Sequence, residues 1–202
     1  MSSVFARLLG SEPYFMDQLP LIVGISGASG AIYGVRLLEV LKGKVPTHLV
    51  VSKSAALTLK KELDLSVEQV RALAQTNHQN ADVGAVISSG SFKTRGMVIA
   101  PCSIRTLSDI AYGTTDTLLS RAADVTLKER RRLVLVVREA PLHAGHLRSM
   151  LTVTENGAIV VPPVPAFYHQ PKTIDDVVNQ TIARCLDLFD IDVGLVKRWQ
   201  GH

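Results

Sequence analysis

From Leu21 onward, short apolar runs alternate with amphipathic stretches, and the period of each run predicts its element. Leu21-Ile22-Val23-Gly24-Ile25 has the length and β-branching of a buried strand, and Ala31 to Leu41 places Val35, Leu38 and Leu41 on one helical face. His48 to Val51 is a second strand, after which Ser52 can cap a helix running to about Lys61. Ser66-x-x-Gln69 is a capping box for another short helix. Met97 to Ala100 predicts a strand stopped by Pro101, with Ser103 capping the next helix and Asp116 the one after it, which reaches Arg130. Leu133–Val137 and Ala158–Val161 are two more strands, and Thr173 caps a closing helix from Ile174 to about Phe189. Strands apolar on both faces, each followed by a helix, predict a mostly parallel sheet covered on both sides. The fold class is α/β, a three-layer αβα domain of Rossmann type.

Residues 1–20 stand outside this pattern and predict an N-terminal extension, surface-lying or mobile, with Met16 as an alternative start. Residues 21–202 form one domain. The 202 residues are 47% apolar and 20% charged, a globular balance rather than a disordered one. A formal charge of +4 with no long basic run does not suggest dedicated nucleic-acid binding and leaves small anionic ligands open. No apolar run approaches the roughly 18 residues that span a bilayer, so membrane insertion is not expected. Two cysteines, Cys102 and Cys185, cannot build a disulfide framework and fit a reducing cytoplasm.

In doubly wound sheets ligands sit outside the carboxyl ends of the strands, which directs attention to residues 26–30, 52–53, 101–106, 138–143 and 162–171. Gly24-Ile25-Ser26-Gly27-Ala28-Ser29-Gly30 spaces glycines three apart between strand and helix. Such a turn either lets backbone N–H groups approach an anion at the helix start or simply packs strand on helix closely. The dinucleotide pattern G-x-G-x-x-G is absent, and the second strand ends in Ser52-Lys53 where an acidic residue would be expected. FMN therefore fits better than NAD. Ser103 and Thr106, in Pro101-Cys102-Ser103-Ile104-Arg105-Thr106, serve as caps or anion contacts, and Cys102 as a small buried residue. Arg121 and Lys128, seven apart, share a helical face, solvated unless a ligand meets it. Arg138-Glu139 follows an apolar strand directly, where a carboxylate beside an arginine can be tuned for proton transfer. Glu139, His143 and His146 also have ligand types for a metal, but Pro141 interrupts the helical geometry such a site needs.

Together GISGASGAIYG, PCS-x-x-TL, RAADV-x-LKERR, VREAPLH and PPVPAFYHQP resemble the UbiX family of flavin prenyltransferases, formerly described as phenylacrylic or hydroxybenzoate decarboxylases. The resemblance runs from about Leu21 to Arg198-Trp199. It implies a Rossmann-like flavoprotein fold and a homo-oligomer, typically a dodecamer. It also implies transfer of a dimethylallyl group from dimethylallyl monophosphate to reduced FMN, with bonds at flavin N5 and C6 and release of phosphate. The prenylated FMN would then serve a UbiD-type decarboxylase, in many bacteria within ubiquinone synthesis.

By the same resemblance Gly27, Ala28, Ser29, Ser52, Ser103, Ile104, Arg105, Thr106 and Arg138 would contact FMN. Tyr168 and Arg184 would hold the prenyl phosphate, with Arg121 and Lys128 adding positive charge and Trp199 lining the prenyl site. Glu139 matches the acid–base glutamate and Glu62 a supporting carboxylate, with Ser29 and Lys128 counted among the catalytic groups. The Ser89-Gly90-Ser91 loop matches without an assigned role. No Asp-rich cluster of the kind that holds Mg²⁺ and a diphosphate occurs, so a metal-free reaction is expected. Two rivals remain at this point: a phosphopantothenoylcysteine-type flavin decarboxylase and a non-catalytic FMN carrier. The first is disfavoured because the 101–106 junction lacks its asparagine and Pro-Val-Pro-Ala-Phe-Tyr stands where its P-x-M-N motif would be.

Overall fold

Strand β1 (Leu21–Ile25) is buried at every residue, as a strand covered on both faces must be. The computed structural model describes residues 19–196. After β1 come α1 (Ala31–Leu41), β2 (Thr47–Val51), α2 (Lys53–Leu63), α3 (Val67–Arg71) and β3 (Thr76–His78). Then follow β4 (Gly96–Cys102), α4 (Ile104–Ala111), α5 (Leu118–Lys128), β5 (Arg132–Val137), α6 (Ala144–Glu155), β6 (Ile159–Val160) and α7 (Ile174–Asp187). Single 3-10 turns lie at Val86–Ser88 and Phe167–His169. The sheet order is β3-β2-β1-β4-β5-β6 and every pair is parallel.

The period of two divides each continuous apolar strand between two cores. Val23, Ile25, Val98, Val134 and Val136 face α1 and α7, meeting Leu37, Leu41, Ile182 and Leu186. Ile22, Met97, Ile99, Leu133 and Leu135 face the opposite layer, meeting Leu107, Ile110, Leu119 and Val153. Each such fully buried side chain stabilises the fold by roughly 1.5–3 kcal/mol before entropy is counted. Gly34 on α1 is there for proximity: a Cβ would lie 2.3 Å from the Ala100 carbonyl oxygen, so the helix can cross β4 this closely only without a side chain.

Several boundaries differ from the sequence expectation. β4 does not stop at Pro101 but runs through it to Cys102, across a register irregularity between Ile99 and Cys102 where a proline is tolerated in a central strand. α5 is capped by Thr117, not Asp116: Thr117 and Ser120 form a reciprocal capping box, and the helix ends at Lys128. β6 is only two residues long, and α7 ends at Asp187. β3 and α6 were not anticipated. β3 is a three-residue polar edge strand without an apolar signature, and α6 carries Leu147, Met150 and Leu151 at helical spacing but leaves both leucines exposed and buries only Ser149 and Val153. The extension expected at residues 1–20 lies outside the described residues as far as 18. Its last two residues are tied to the start of β4, where Arg95 N and Nε donate to the Pro20 and Leu19 carbonyls.

Candidate active site

The strand order reverses between β1 and β4, and hydrogen bonds lace the carboxyl ends of four strands together there. Ser52 N donates to Ile25 O at 2.9 Å, joining β2 to β1. Ser26 Oγ donates to Pro101 O at 2.9 Å and accepts from Ser103 N at 2.7 Å, joining β1 to β4. Arg138 N donates to Cys102 O at 3.2 Å, joining β4 to β5. Ser26 is the residue that sequence reasoning missed. A hydroxyl directly after an apolar strand had to find partners in the interior, and that was its only signal.

This lacing brings Ser29, Ser52, Glu62, Ser103, Arg138 and Glu139 to one edge. Adjacent β1 and β2 place the Gly27–Ser29 loop beside the Ser52 turn, and Gly27 passes so near Ser54 that a Cβ would lie 2.2 Å from its Oγ. Ser52 caps α2, accepting from Ala55 N at 3.1 Å, and its Oγ lies 3.2 Å from Ser54 Oγ. Ser103 caps α4, accepting from Thr106 N at 3.3 Å and donating to Thr106 Oγ1 at 3.2 Å. Both hydroxyls therefore do the capping work that their spacing suggested. Ala28 is buried, and Ile104 packs against the second core. Arg105 turns along its own helix to pair with Asp109, at 3.0 and 3.1 Å.

The N-terminus of α1 has an unexpected partner. Gly30 sits at φ +95°, a conformation open to glycine, and its N–H and that of Ala31 donate to Glu62 Oε2 at 2.9 and 3.0 Å. Burial pushes the Glu62 carboxyl up, but hydrogen bonds from Ser29, Ala31 and Gly30 and the charge of Arg138 outweigh it, leaving the group below the ordinary carboxylate range. The protein's own carboxylate therefore takes the anion-binding end of α1, held with Ser29 and Arg138 in one cluster. Glu139 is exposed on the turn after β5, where its Oε1 accepts from Ala140 N at 3.1 Å. His143 caps α6 and stacks on His146 at 3.6 Å between ring centroids. Among the described residues no group of three or more His, Cys, Asp or Glu side chains could hold a metal ion.

The remaining candidates lie elsewhere in the chain. Tyr168 is 65% exposed on the loop after β6, its ring 4.1 Å from that of His169. Arg121 and Lys128 share the outer face of α5, paired with Asp124 at 3.3 Å and Glu129 at 3.0 Å. Lys128 ends that 11-residue helix, four residues before β5 begins, so it stands at the amino edge of the sheet, about 16 Å of helix from the crevice. Arg184, in the last turn of α7, is at the same far edge, since Arg132 at the start of β5 reaches Leu188 and Asp190 just beyond that helix. One chain therefore separates these cations from Glu139. Trp199 lies outside the described residues. A cleft of about 560 Å³ between Lys42–Thr47 and Ala72–Gln75 is also at the amino edge and holds none of the candidates. The thiols contribute no chemistry: Cys102 and Cys185 are buried, and burial raises both, Cys185 to about 12.

Comparison with known proteins identifies the family and the fold. The profile of the Flavoprotein family matches residues 9–186. The flavin prenyltransferase UbiX of Escherichia coli K12 is 61% identical over 185 residues, covering 90% of this chain and 98% of its own. A crystal structure of AnUbiX (PadA1) in complex with FMN and dimethylallyl pyrophosphate superposes with a TM-score of 0.89 at 50% identity, covering 92% of this chain and 99% of its own. A dodecameric FMN-dependent UbiX-like decarboxylase from Escherichia coli O157:H7 gives a TM-score of 0.88 at 50% identity, covering 91% and 100%. With the sheet, the switch-point loop and this identity over nearly its whole length, the chain belongs to the flavoproteins and, within them, to the UbiX family of flavin prenyltransferases.

Proposed function

We propose that this protein transfers a dimethylallyl group from dimethylallyl monophosphate to reduced FMN, forming bonds at N5 and C6 and releasing inorganic phosphate. The observation that carries the reading is the Ser29–Glu62–Arg138 cluster at the β1/β4 switch point, with Glu139 on the adjoining turn. The donor set suits FMN: hydroxyls of Ser52, Ser54 and Ser103, the Gly27–Ser29 backbone and the Arg138 guanidinium match a phosphate and a polar ring edge without a metal. Gly27, Ala28, Ser29, Ser52, the Ser103–Thr106 turn and Arg138 would hold it. When bound, the reduced flavin supplies the two nucleophilic positions.

The chain's own groups have separable tasks. Glu62 is ionised and oriented by three donors, so it fixes the Ser29 hydroxyl toward the crevice. Glu139 takes the proton that must leave flavin C6 and manages the one near N5; its exposed turn leaves it accessible to both. Tyr168 and Arg184, with Arg121 and Lys128, neutralise the departing phosphate dianion as preorganised donors. Trp199 would line the prenyl site, where an aromatic face stabilises an allylic cation. Lys128 and Arg184 are a helix length from Glu139 in one chain, so we infer that a neighbouring copy supplies them in a homo-oligomer, a dodecamer like that of the Escherichia coli O157:H7 relative. The product would be taken up by a UbiD-type decarboxylase. No helix among the described residues is long and apolar enough to cross a membrane. We place the protein in the cytoplasm, which suits its two free, buried thiols.

The test is incubation of the purified protein with reduced FMN and dimethylallyl monophosphate. Stoichiometric phosphate and a flavin of altered spectrum and added prenyl mass are expected. Tight FMN binding with no phosphate release would instead identify a carrier.

A further inference from the structure

The loop preceding β4 is held by a side chain to which no role has been given. Arg131 is only 13% exposed, and it donates from Nη1 to Phe92 O at 2.7 Å and from Nη2 to Gly90 O at 2.6 Å. Its Nη2 also lies 3.9 Å from Glu129 Oε2, while Glu129 Oε1 accepts from Lys128 Nζ at 3.0 Å. The guanidinium is not needed to end α5. Arg130 at φ +55° closes that helix through backbone bonds, from Arg130 N to Leu127 O and from Arg131 N to Thr126 O. Burying a guanidinium costs desolvation, and here the return is two loop carbonyls and one carboxylate held in a fork that a lysine could not span.

The loop so held passes directly under the Lys128 ammonium. A Cβ on Gly90 would lie 3.1 Å from Lys128 Nζ and 2.1 Å from Glu129 Oε1. On either side of Gly90 the hydroxyls of Ser89 and Ser91 are 2.9 Å apart. An ammonium, two hydroxyls and a backbone without a side chain form a face suited to a phosphate monoester. We propose that Arg131 is a positioning residue, clamping the Ser89–Phe92 loop and Glu129 so that Lys128, with Ser89 and Ser91, is aimed at the phosphate of the prenyl donor. This rests on the reading above that Lys128 meets that phosphate. It adds the loop and the clamp as the device that gives Lys128 its direction.

The experiment is steady-state phosphate release by the assembled protein with reduced FMN, varying dimethylallyl monophosphate, alongside FMN affinity. Arg131→Gln should raise KM for the prenyl phosphate about tenfold, the cost of misplacing one charge-assisted contact, with FMN affinity within about twofold of wild type. Arg131→Lys should recover part of the loss. Gly90→Ala displaces only the flexible ends of Glu129 and Lys128, so it tests the same alignment in a protein that folds even if Arg131→Gln does not. In a Lys128→Ala background Arg131→Gln should add little, because both act on one contact. An unchanged KM in Lys128→Ala would overturn the underlying reading of Lys128. A raised KM in Lys128→Ala, with none in Arg131→Gln or Gly90→Ala, would overturn the clamp alone. Additive losses in the double variant would show a merely structural arginine.

Discussion

Glu62 offers the sharpest test of how the crevice is built, because one carboxylate oxygen closes the start of a helix that belongs to another element. Glu62→Ala would leave the Gly30 and Ala31 N–H groups without the acceptor now 2.9 and 3.0 Å away. A lost N-terminal cap costs about 0.5–2 kcal/mol, and loss of a negative charge at a helix start about 0.3–1 kcal/mol. Glu62 is exposed, so water partly replaces it and the sum is about 1–2 kcal/mol. At roughly 2–4 °C per kcal/mol for a chain of this size, the melting temperature should fall about 2–8 °C. Glu62→Gln keeps a neutral acceptor and should lose less than half of that. It should still lose turnover, because the charge facing Ser29 and Arg138 is gone. The carboxyl is held below its ordinary value, so its contribution is fully present above about pH 4.5 and is lost as pH falls through the lowered native value. Thermal unfolding of the three proteins at pH 7 and pH 4, with phosphate release at pH 7, decides the matter. An alanine variant that melts within 1 °C of wild type would refute the cap. A glutamine variant with wild-type turnover would refute the electrostatic role.

Four further outcomes are expected. Glu139→Gln should bind FMN and prenyl phosphate normally while product formation slows by about 10²–10⁴, measured by single-turnover spectroscopy. Arg184→Ala should raise the requirement for prenyl phosphate about ten- to a hundredfold and leave flavin affinity unchanged; an equal loss of FMN affinity would move this arginine to the flavin site. His48 is lowered to about 4 by burial and by His78, whose Nε2 is 2.9 Å from its Nδ1, so the unfolded chain takes up a proton that the native one refuses. Stability should therefore fall between about pH 6.5 and pH 4 and level off below. The full shift of about 3.4 kcal/mol reduces to roughly 1–2 for a half-exposed ring, and urea unfolding of His48→Phe should show a flatter profile. Gly34→Ala should cost about 1–3 kcal/mol by forcing α1 away from the Ala100 carbonyl, read as a lower denaturation midpoint.

Periodicity and capping chemistry, which are local, made much of this protein legible from its sequence. The caps at Ser52, Ser66, Ser103 and Thr173 are where their residue types place them, because a cap is decided within four residues of chain. The apolar runs of β1, β2, β4 and β5 announced a sheet buried on both faces, and so directed attention to the strand ends that hold Ser29, Ser52, Ser103, Arg138 and Glu139. Where local signals were misleading or weak, the sequence misled: Asp116 was read as the cap that Thr117 provides, Pro101 looked like a stop, β3 is short and polar, and α6 leaves the leucines of its apolar face exposed. Only the tertiary structure could decide which distant groups share a charge or a hydrogen bond. Glu62 closing α1 from α2, Ser26 joining β1 to β4 across 77 positions, and Arg131 gripping a loop some 40 residues away depend on strand order and helix crossing. The same long-range geometry sets Lys128 and Arg184 a helix length from Glu139. Lys128's edge could be read from its closeness to β5 in sequence, but that of Arg184 needed the Arg132–Leu188 contact, because only the packed structure sets the end of α7 against the amino edge of the sheet.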